Sequence, residues 1–271
     1  MPDLPQDFRL PDGFVPPEVP QPPAEPRDAA TVMLLRDGAD GVEVFLQRRV
    51  AAMAFAPGMT VFPGGGVDTR DTDAEVRWAG PPAEEWAAWF GCAPGLARAL
   101  VCAAVRETFE ESGVLLAGPD PGTVVDDAVP YHQAREGLIS RKLSLAEFLA
   151  GADLVLRADL LRAWSAWVTP EAEPRRYDTR FFLALLPAGQ HADGATTEAD
   201  TSGWMRPASA LADAREGRST LLPPTLVSVT ELAEFGSAAE AFGAARPVPR
   251  FLPRVVRDGQ GARVVFTPED V

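Results

Sequence analysis

Three glutamates lie close together in the stretch Arg106-Glu107-Thr108-Phe109-Glu110-Glu111-Ser112-Gly113-Val114. Glu107, Glu110 and Glu111 are spaced i, i+3 and i+4, so a helix would place their carboxylates on one face. Like charges so placed repel each other, and a group of hard oxygen donors suits Mg²⁺ or Mn²⁺ better than a softer metal. A solvated acidic helix end is the alternative interpretation, and two neighbouring features weigh against it.

The residues before this stretch predict the helix. Pro94 stands where a first helical turn tolerates proline, and good helix formers follow it up to Val105. Four apolar residues repeat at helical spacing and would bury one side against a sheet: Leu96, Leu100, Ala103 and Ala104. Gly113 is a suitable C-terminal stop. The sequence therefore predicts an amphipathic helix whose last two turns carry Arg106 and the three glutamates.

Two features near the glutamates indicate a binding site. Arg106 stands beside Glu107 and can orient a carboxylate through a charge-assisted hydrogen bond. Upstream, Phe62-Pro63-Gly64-Gly65-Gly66 follows an apolar strand, and we expect a tight backbone turn that exposes peptide groups to a phosphate or a metal.

At these residues the sequence resembles the Nudix hydrolases, whose family box reads G-x5-E-x7-R-E-U-x-E-E-x-G-U, with U a bulky apolar residue. The second half of the box matches Arg106 to Val114, except that Thr108 stands where an apolar residue is usual. The first half matches Pro63-Gly64-Gly65, but Gly65 lies 41 positions before Arg106, where the family spacing is 14. The resemblance therefore implies an insertion of 27 residues inside the box.

Counting back from Arg106 without a gap places Cys92 and Arg98 where the family has glycine and glutamate, so we expect the first glutamate of the box to be lost or displaced. A similar interruption occurs in the acyl-coenzyme A diphosphatase subgroup of the family. That subgroup also resembles this chain at Trp167-Val168-Thr169-Pro170 and at Arg175 to Phe182. Part of its upstream signature matches as well, from Leu46 through Gly65, although Ala54 replaces its second arginine.

The resemblance implies roles for individual residues. Catalytic roles fall to Arg106, Glu107, Glu111 and Glu198, the last on a loop where many Nudix enzymes carry a further acidic residue. The implied metal ligands are Glu107, Glu110 and Glu111 with a backbone carbonyl of Gly64 or Gly65. The implied substrate-binding residues are Arg49, Phe62, Arg176 and Arg180.

The resemblance implies a Mg²⁺- or Mn²⁺-dependent diphosphatase acting on coenzyme A or its thioesters. Two alternatives remain open at this point. The same chemistry can act on ADP-ribose, a dinucleotide or another nucleoside-diphosphate derivative, which the missing arginine of the signature keeps in play. A non-hydrolytic Nudix-like ligand-binding protein is the other alternative, which the intact glutamates disfavour.

Composition limits the other possibilities. The 271 residues carry a formal net charge of −14, which argues against a general nucleic-acid surface. The two cysteines imply neither a disulfide framework nor a zinc site, and no apolar run approaches the length of a membrane span. The chain ends in Pro268-Glu269-Asp270-Val271 without a peroxisomal Ser-Lys-Leu signal, so we expect a cytoplasmic protein. A homodimer is an expectation from the family alone.

The resemblance and the hydrophobic pattern together predict an α/β (α+β) fold, a Nudix-type α/β/α sandwich with a mixed central sheet. Residues 1–26 are rich in proline and predict an extended arm, and residues 27–271 a single domain with insertions at about 67–91 and 120–166. Asp68, Asp71 and Asp73 in the first insertion are expected in a surface turn. In the second insertion, apolar spacing predicts helices at Gln133–Ile139, Leu145–Leu149 and Ala158–Trp164.

Overall fold

The computed structural model describes residues 7–9, 19–51, 56–72, 75–196, 198–258 and 261–267. Ala54, Asp73 and the C-terminal residues 268–271, on which the sequence placed expectations, lie outside these ranges. The helices are α1 (Ala83–Phe90), α2 (Pro94–Ser112), α3 (His132–Ile139), α4 (Leu145–Gly151), α5 (Pro207–Arg215), α6 (Pro223–Leu232) and α7 (Ala238–Gly243). The strands are β1 (Asp7–Arg9), β2 (Arg27–Gly38), β3 (Gly41–Arg49), β4 (Thr60–Val61), β5 (Gly64–Gly66), β6 (Trp78–Ala79), β7 (Ala117–Gly118), β8 (Val155–Arg157), β9 (Leu161–Val168), β10 (Tyr177–Leu185), β11 (Ala199–Met205), β12 (Arg250–Phe251), β13 (Arg254–Asp258) and β14 (Gly261–Val265).

The central sheet is mixed. Its strands run in the order β11-β3-β2-β10-β9-β12, with β4 paired to β3 and β5 paired to β2. The β2–β10 and β9–β12 pairs are parallel, and the other pairs in this sheet are antiparallel. The mixed sheet that the sequence predicts is therefore confirmed.

Both faces of this sheet are covered by helices. Val32 and Leu34 pack in one buried cluster with residues of α2, whereas Met33 and Leu35 pack in a second cluster with residues of α6 and α7. Successive side chains of a strand point to opposite faces, so the two clusters lie on opposite sides of β2. This arrangement is the predicted α/β/α sandwich.

Helix α2 begins and ends where the sequence predicts. Pro94 is in its first turn, and Gly113 follows its end in the left-handed conformation (φ 74°) with its N–H donating to Phe109 O at 3.0 Å. The helix is buried more completely than an amphipathic pattern implies. Trp86 and Phe90 of α1 belong to the same apolar cluster as α2, so the first insertion covers a side of α2 that would otherwise face solvent.

The second insertion contains the predicted helices α3 and α4, but the helix predicted over Ala158–Trp164 is wrong. A 3-10 turn at Ala158–Leu160 leads directly into β9, which pairs with β10 in the central sheet. Buried residues occupy most of β9, including Trp164 and Trp167. A short apolar run that is buried on both faces gives no periodicity that distinguishes a strand from a helix.

A strand from the N-terminal part of the chain joins a C-terminal hairpin. β13 and β14 form an antiparallel hairpin, and β1, from the predicted arm, pairs with β14 with Asp7 opposite Val265. Among the described residues, no single helix is long and apolar enough to cross a membrane. Only α1 and α2 taken together meet that criterion, and they are bent by 94° at the break between them.

Candidate active site

A large cleft of about 1560 Å³ brings together the two features that the sequence singled out. The glutamates at the end of α2 line it, and so does the glycine strand β5. On β10, the residues that line it alternate: Tyr177, Thr179 and Phe181. The glutamates and the glycines are therefore neighbours in one cavity although 41 positions separate Gly65 from Arg106.

Arg106 lies at the centre of a hydrogen-bonded network in this cleft. Its Nη1 donates to Glu107 Oε1 at 2.7 Å and to Glu110 Oε1 at 3.2 Å. Its Nη2 donates to Gly66 O at 2.9 Å, which joins the end of α2 to β5. The arginine is buried, so these bonds fix the two glutamates beside the glycine strand.

Asp71 holds the other side of Arg106. Arg106 Nε lies 3.0 Å from Asp71 Oδ1 and Nη2 lies 2.9 Å from Asp71 Oδ2. Asp71 is 3% exposed, so the prediction that it belongs to a surface turn is wrong. Of the two described aspartates of this group, Asp68, which pairs with Arg70 at 2.8 Å, is the one that comes close to that expectation.

Asp71 is also the first acidic residue of the box. It follows Gly65 by six positions, the spacing at which the family pattern has its first glutamate. Counting forward from Gly65 finds it, whereas counting back from Arg106 crosses the insertion and lands on Arg98. The extra residues therefore follow Asp71, and the predicted start of the insertion at Val67 is too early.

The glycines of β5 allow two close approaches. A Cβ on Gly65 would lie 2.6 Å from Glu107 Cδ, and a Cβ on Gly64 would lie 2.7 Å from Thr31 Cα. Gly64 N–H donates to Glu111 Oε2 at 2.9 Å. The segment is a short strand paired with β2 rather than the expected tight turn, and the peptide group it offers to the cleft at Glu111 is a donor.

Burial raises the pKa of all three glutamates. The pKa of Glu111 is raised to about 8, first by burial and then by the neighbouring Glu107. The pKa of Glu107 is raised to about 7 by burial, which outweighs the opposing effect of Arg106. Burial also raises the pKa of Glu110. Buried carboxylates with raised pKa values in a cleft are a common property of catalytic and ion-binding sites.

The chemistry of the donors suits a hard divalent cation, but their grouping in this structure does not yet form a site. In the ranges that the structure describes, no three Asp, Glu, His or Cys side chains stand grouped so that they could hold a metal ion. Glu107 and Glu110 are bonded to Arg106, and Glu111 accepts hydrogen bonds from Gly64 N and Gln47 Nε2. Yet the donors are all oxygens, burial disfavours their charged forms, and the neighbouring buried Gln47 Oε1 has no hydrogen-bond partner. The predicted ligand set of Glu107, Glu110 and Glu111 with a carbonyl of Gly64 or Gly65 stays a prediction.

Three further predicted site residues line the cleft. Arg49 Nη2 lies 3.3 Å from Glu198 Oε2, and the Val50 N–H donates to Glu198 O at 3.0 Å. Phe62 is buried and makes an edge-on contact with Phe181, with ring centroids 6.4 Å apart. The sequence-distant Arg49 and Glu198 thus share one wall of the cavity.

Arg176 and Arg180, also predicted to contact substrate, lie outside the cleft lining. Arg176 is buried and donates to the carbonyls of Thr169 (3.0 Å) and Ala24 (2.8 Å). Arg180 is 2% exposed and is ion-paired with Asp178. Alternation along β10 sends Thr179 and Phe181 to the cleft and Arg180 to the opposite face. The substrate-binding roles expected for these two arginines are therefore corrected to structural ones.

Comparisons with known proteins find relatives of one family. A family model described as the NUDT19 Nudix domain matches residues 92–232. A putative nudix hydrolase 7 from Caenorhabditis elegans is 31% identical over 191 residues, which are 70% of this chain and 56% of that protein. Acyl-coenzyme A diphosphatase NUDT19 from Homo sapiens is 26% identical over 295 aligned positions, covering 92% of this chain and 74% of that protein.

Solved structures include a close match of the fold. A crystal structure of a Nudix hydrolase from Alicyclobacillus acidocaldarius matches with a TM-score of 0.70 and 29% sequence identity. The match covers 83% of this chain and 99% of that one. By contrast, this chain spans 56% of the length of the C. elegans relative.

Proposed function

The chain belongs to the Nudix family, with a domain of the NUDT19 type, and we propose that it is a metal-dependent diphosphatase. Its proposed substrates are coenzyme A and acyl-coenzyme A, and its products 3′,5′-ADP and 4′-phosphopantetheine or the acyl form. One observation carries the reaction class: three glutamates at the end of α2, of which Glu111 is buried and the other two are partly buried, line a large cleft beside the glycine strand β5.

The difficulty of the reaction explains why such a site is needed. A diphosphate repels an attacking oxygen because negative charge surrounds each phosphorus. A bound Mg²⁺ or Mn²⁺ neutralises phosphate oxygens and lowers the pKa of water. Glu107, Glu110 and Glu111 would hold the ions, because their carboxylates are oxygen donors that line this part of the cleft.

The residues around the glutamates have separate tasks. Arg106, anchored by Asp71, fixes the orientation of Glu107 and Glu110. Two carboxylates that line the cleft are candidates to accept the proton of the attacking water, namely Glu107 and the half-exposed Glu198. A comparison of Glu107→Gln with Glu198→Gln separates them, since loss of the general base removes the acidic limb of the pH–rate profile.

The cleft also supports the substrate class. It has a charged end at the glutamates and an apolar lining that includes Met59, Val61, Trp167 and Leu221. Coenzyme A has the same division, with a charged diphosphate and a long, less polar pantetheine arm. Relatives at 25% and 26% identity are named acyl-coenzyme A diphosphatases, which supports the same substrate here.

A substrate panel tests the proposal. The protein is incubated with coenzyme A, an acyl-coenzyme A, ADP-ribose and a dinucleotide in Mg²⁺ or Mn²⁺, and products are identified by mass spectrometry. We expect 3′,5′-ADP from coenzyme A. AMP from ADP-ribose without cleavage of coenzyme A would assign the enzyme to the broader class of nucleoside-diphosphate substrates, and binding without turnover would make it a ligand-binding protein.

One variant and its control test the site. Glu111→Gln removes a buried charge at nearly constant shape, and we expect kcat to fall by roughly 100-fold or more. Glu84→Gln makes the same change on the exposed face of α1 and should leave kcat unaltered. Equal rates for Glu111→Gln and the parent would show that the glutamate cluster is not the active site.

A further inference from the structure

Arginines are the cations of this cleft. Six of the described ones line it: Arg27, Arg49, Arg70, Arg106, Arg141 and Arg175. Three of them are neutralised by carboxylates, since Arg49 pairs with Glu198, Arg70 with Asp68, and Arg106 with Asp71 and two glutamates. Arg27, Arg141 and Arg175 make no ion pair with any carboxylate that the structure describes.

Local charge distinguishes Arg141 from the other two. Arg27 is followed directly by Asp28, and Arg175 lies two positions after Glu173, and both of these acidic residues line the cleft as well. Arg141 is on the turn between α3 and α4, and its neighbour in the cleft wall, Arg70, is already bonded to Asp68. This wall therefore presents one uncompensated positive charge in a protein of net charge −14.

The backbone of Arg141 is held in a conformation that residues other than glycine rarely adopt. Its φ is +55°, in the left-handed region. The conformation is fixed from both sides, because the Arg141 N–H donates to Leu138 O at 2.8 Å and Arg70 Nη1 donates to Arg141 O at 3.1 Å. The backbone of Arg141 is therefore fixed just after the end of α3, and its exposed charged side chain lies on the cleft.

The surroundings of Arg141 are apolar. Leu138 and Ile139, at the end of α3, line the cleft on the same turn, and Ile139 is 43% exposed. A cation beside apolar side chains suits a ligand with an anionic group on a largely uncharged body. The diphosphate of a substrate belongs at the glutamates, so the anionic group that Arg141 would bind is a second group on the same molecule.

We propose that Arg141 binds a phosphomonoester of the substrate, remote from the diphosphate, and makes the site select nucleoside-diphosphate derivatives that carry this additional group. This substrate selectivity rests on the proposed diphosphatase function. Binding at Arg141 can nevertheless be measured without turnover. Arg141 is thus a specificity-determining residue, and the glutamates carry the chemistry.

Calorimetric binding of two small probes tests this inference. Adenosine 3′,5′-bisphosphate carries the additional phosphomonoester and 5′-AMP lacks it, and each is titrated into the full chain and into Arg141→Gly. Glycine adopts a φ of +55° without strain, so the variant should fold. Lys142→Gln is the matched control, because it removes one positive charge from the adjacent exposed position, which does not line the cleft.

We expect the parent to bind the bisphosphate more tightly than AMP, and Arg141→Gly to reduce that preference by roughly tenfold or more, as for loss of a charge-assisted hydrogen bond. Lys142→Gln should keep the preference, and Arg141→Lys should keep part of it. An unchanged preference in Arg141→Gly, or no preference in the parent, overturns the inference. Failure of the parent to hydrolyse coenzyme A would refute the proposed function instead, and the binding result would stand separately.

Discussion

Asp71→Asn is the change that most directly tests how this site is assembled. Asp71 accepts hydrogen bonds from Arg106 Nε at 3.0 Å and from Arg106 Nη2 at 2.9 Å. The Asp71 side chain is 1% exposed and that of Arg106 is 10% exposed, so solvent screens the pair little. Asparagine has nearly the same shape, and the substitution removes the negative charge without creating a cavity.

The size of the effect follows from what Arg106 retains. Removing one partner of a buried ion pair typically costs about 3–5 kcal/mol, because the other charge is left buried. Arg106 keeps its bonds to Glu107, Glu110 and Gly66 O, so we expect a cost at or just below the bottom of this range, about 2–3 kcal/mol. For a chain of this length that lowers Tm by about 4–8 °C. We also expect kcat to fall at least about tenfold with a smaller change in KM, since Arg106 without its Asp71 anchor holds Glu107 less rigidly in one orientation.

Thermal denaturation and steady-state kinetics measure the two effects on the same preparations. Asp126→Asn is the control, because Asp126 is exposed and the same substitution there removes an equal charge. Asp71→Glu keeps the carboxylate and should recover part of both losses. If Asp71→Asn melts and turns over like the parent, then Asp71 does not anchor Arg106, and the box of this chain lacks its first acidic residue after all.

Three more changes test other parts of the site. Gly65→Ala places a Cβ 2.6 Å from the present position of Glu107 Cδ. We therefore expect a large loss of kcat in a protein that circular dichroism shows to be folded. Normal turnover would mean that β5 and the end of α2 do not touch. Without a divalent cation, Tm should fall as pH rises from about 5 to about 8.5. The reason is that folding raises the pKa of Glu107 to about 7 and that of Glu111 to about 8, so the folded state binds more protons than the unfolded state. Adding Mn²⁺ should flatten this slope in calorimetric scans, and a Tm that rises with pH would contradict the burial of these groups. Arg176→Ala should lower Tm, because it removes the hydrogen bonds from Arg176 to the carbonyls of Thr169 and Ala24, and it should leave KM within about twofold of the parent value. A KM raised tenfold would show that Arg176 contacts the substrate.

The parts of the fold with local signals were predictable. Pro94 and Gly113 mark the two ends of α2, because proline is accepted in a first turn and glycine adopts the left-handed conformation after the last one. The spacing of Glu107, Glu110 and Glu111 then places the three carboxylates on one face whatever the helix packs against. These signals depend on a few neighbouring residues, and a single sequence contains them in full.

Asp71 was missed for a different reason. Its spacing from Gly65 is normal, but its distance from Arg106 is set by the insertion, and α1 within that insertion packs on α2. A loop that closes over a long separation costs only slightly more free energy than a short one, so the ion pair tolerates the extra residues. A pattern that must be continuous to be recognised can therefore be broken in the sequence while its side chains remain in contact.

The arginines of β10 show where sequence information ends. A strand sends alternate residues to opposite faces, so Thr179 and Phe181 reach the cleft only if Arg180 does not. The sequence fixes the alternation but not which face of the sheet borders the cleft, because that depends on how α2, β3 and β5 pack around β2. A basic residue in a strand that lines an active site can point to either face of the sheet. Here Arg180 is buried on the face away from the cleft and is paired with Asp178.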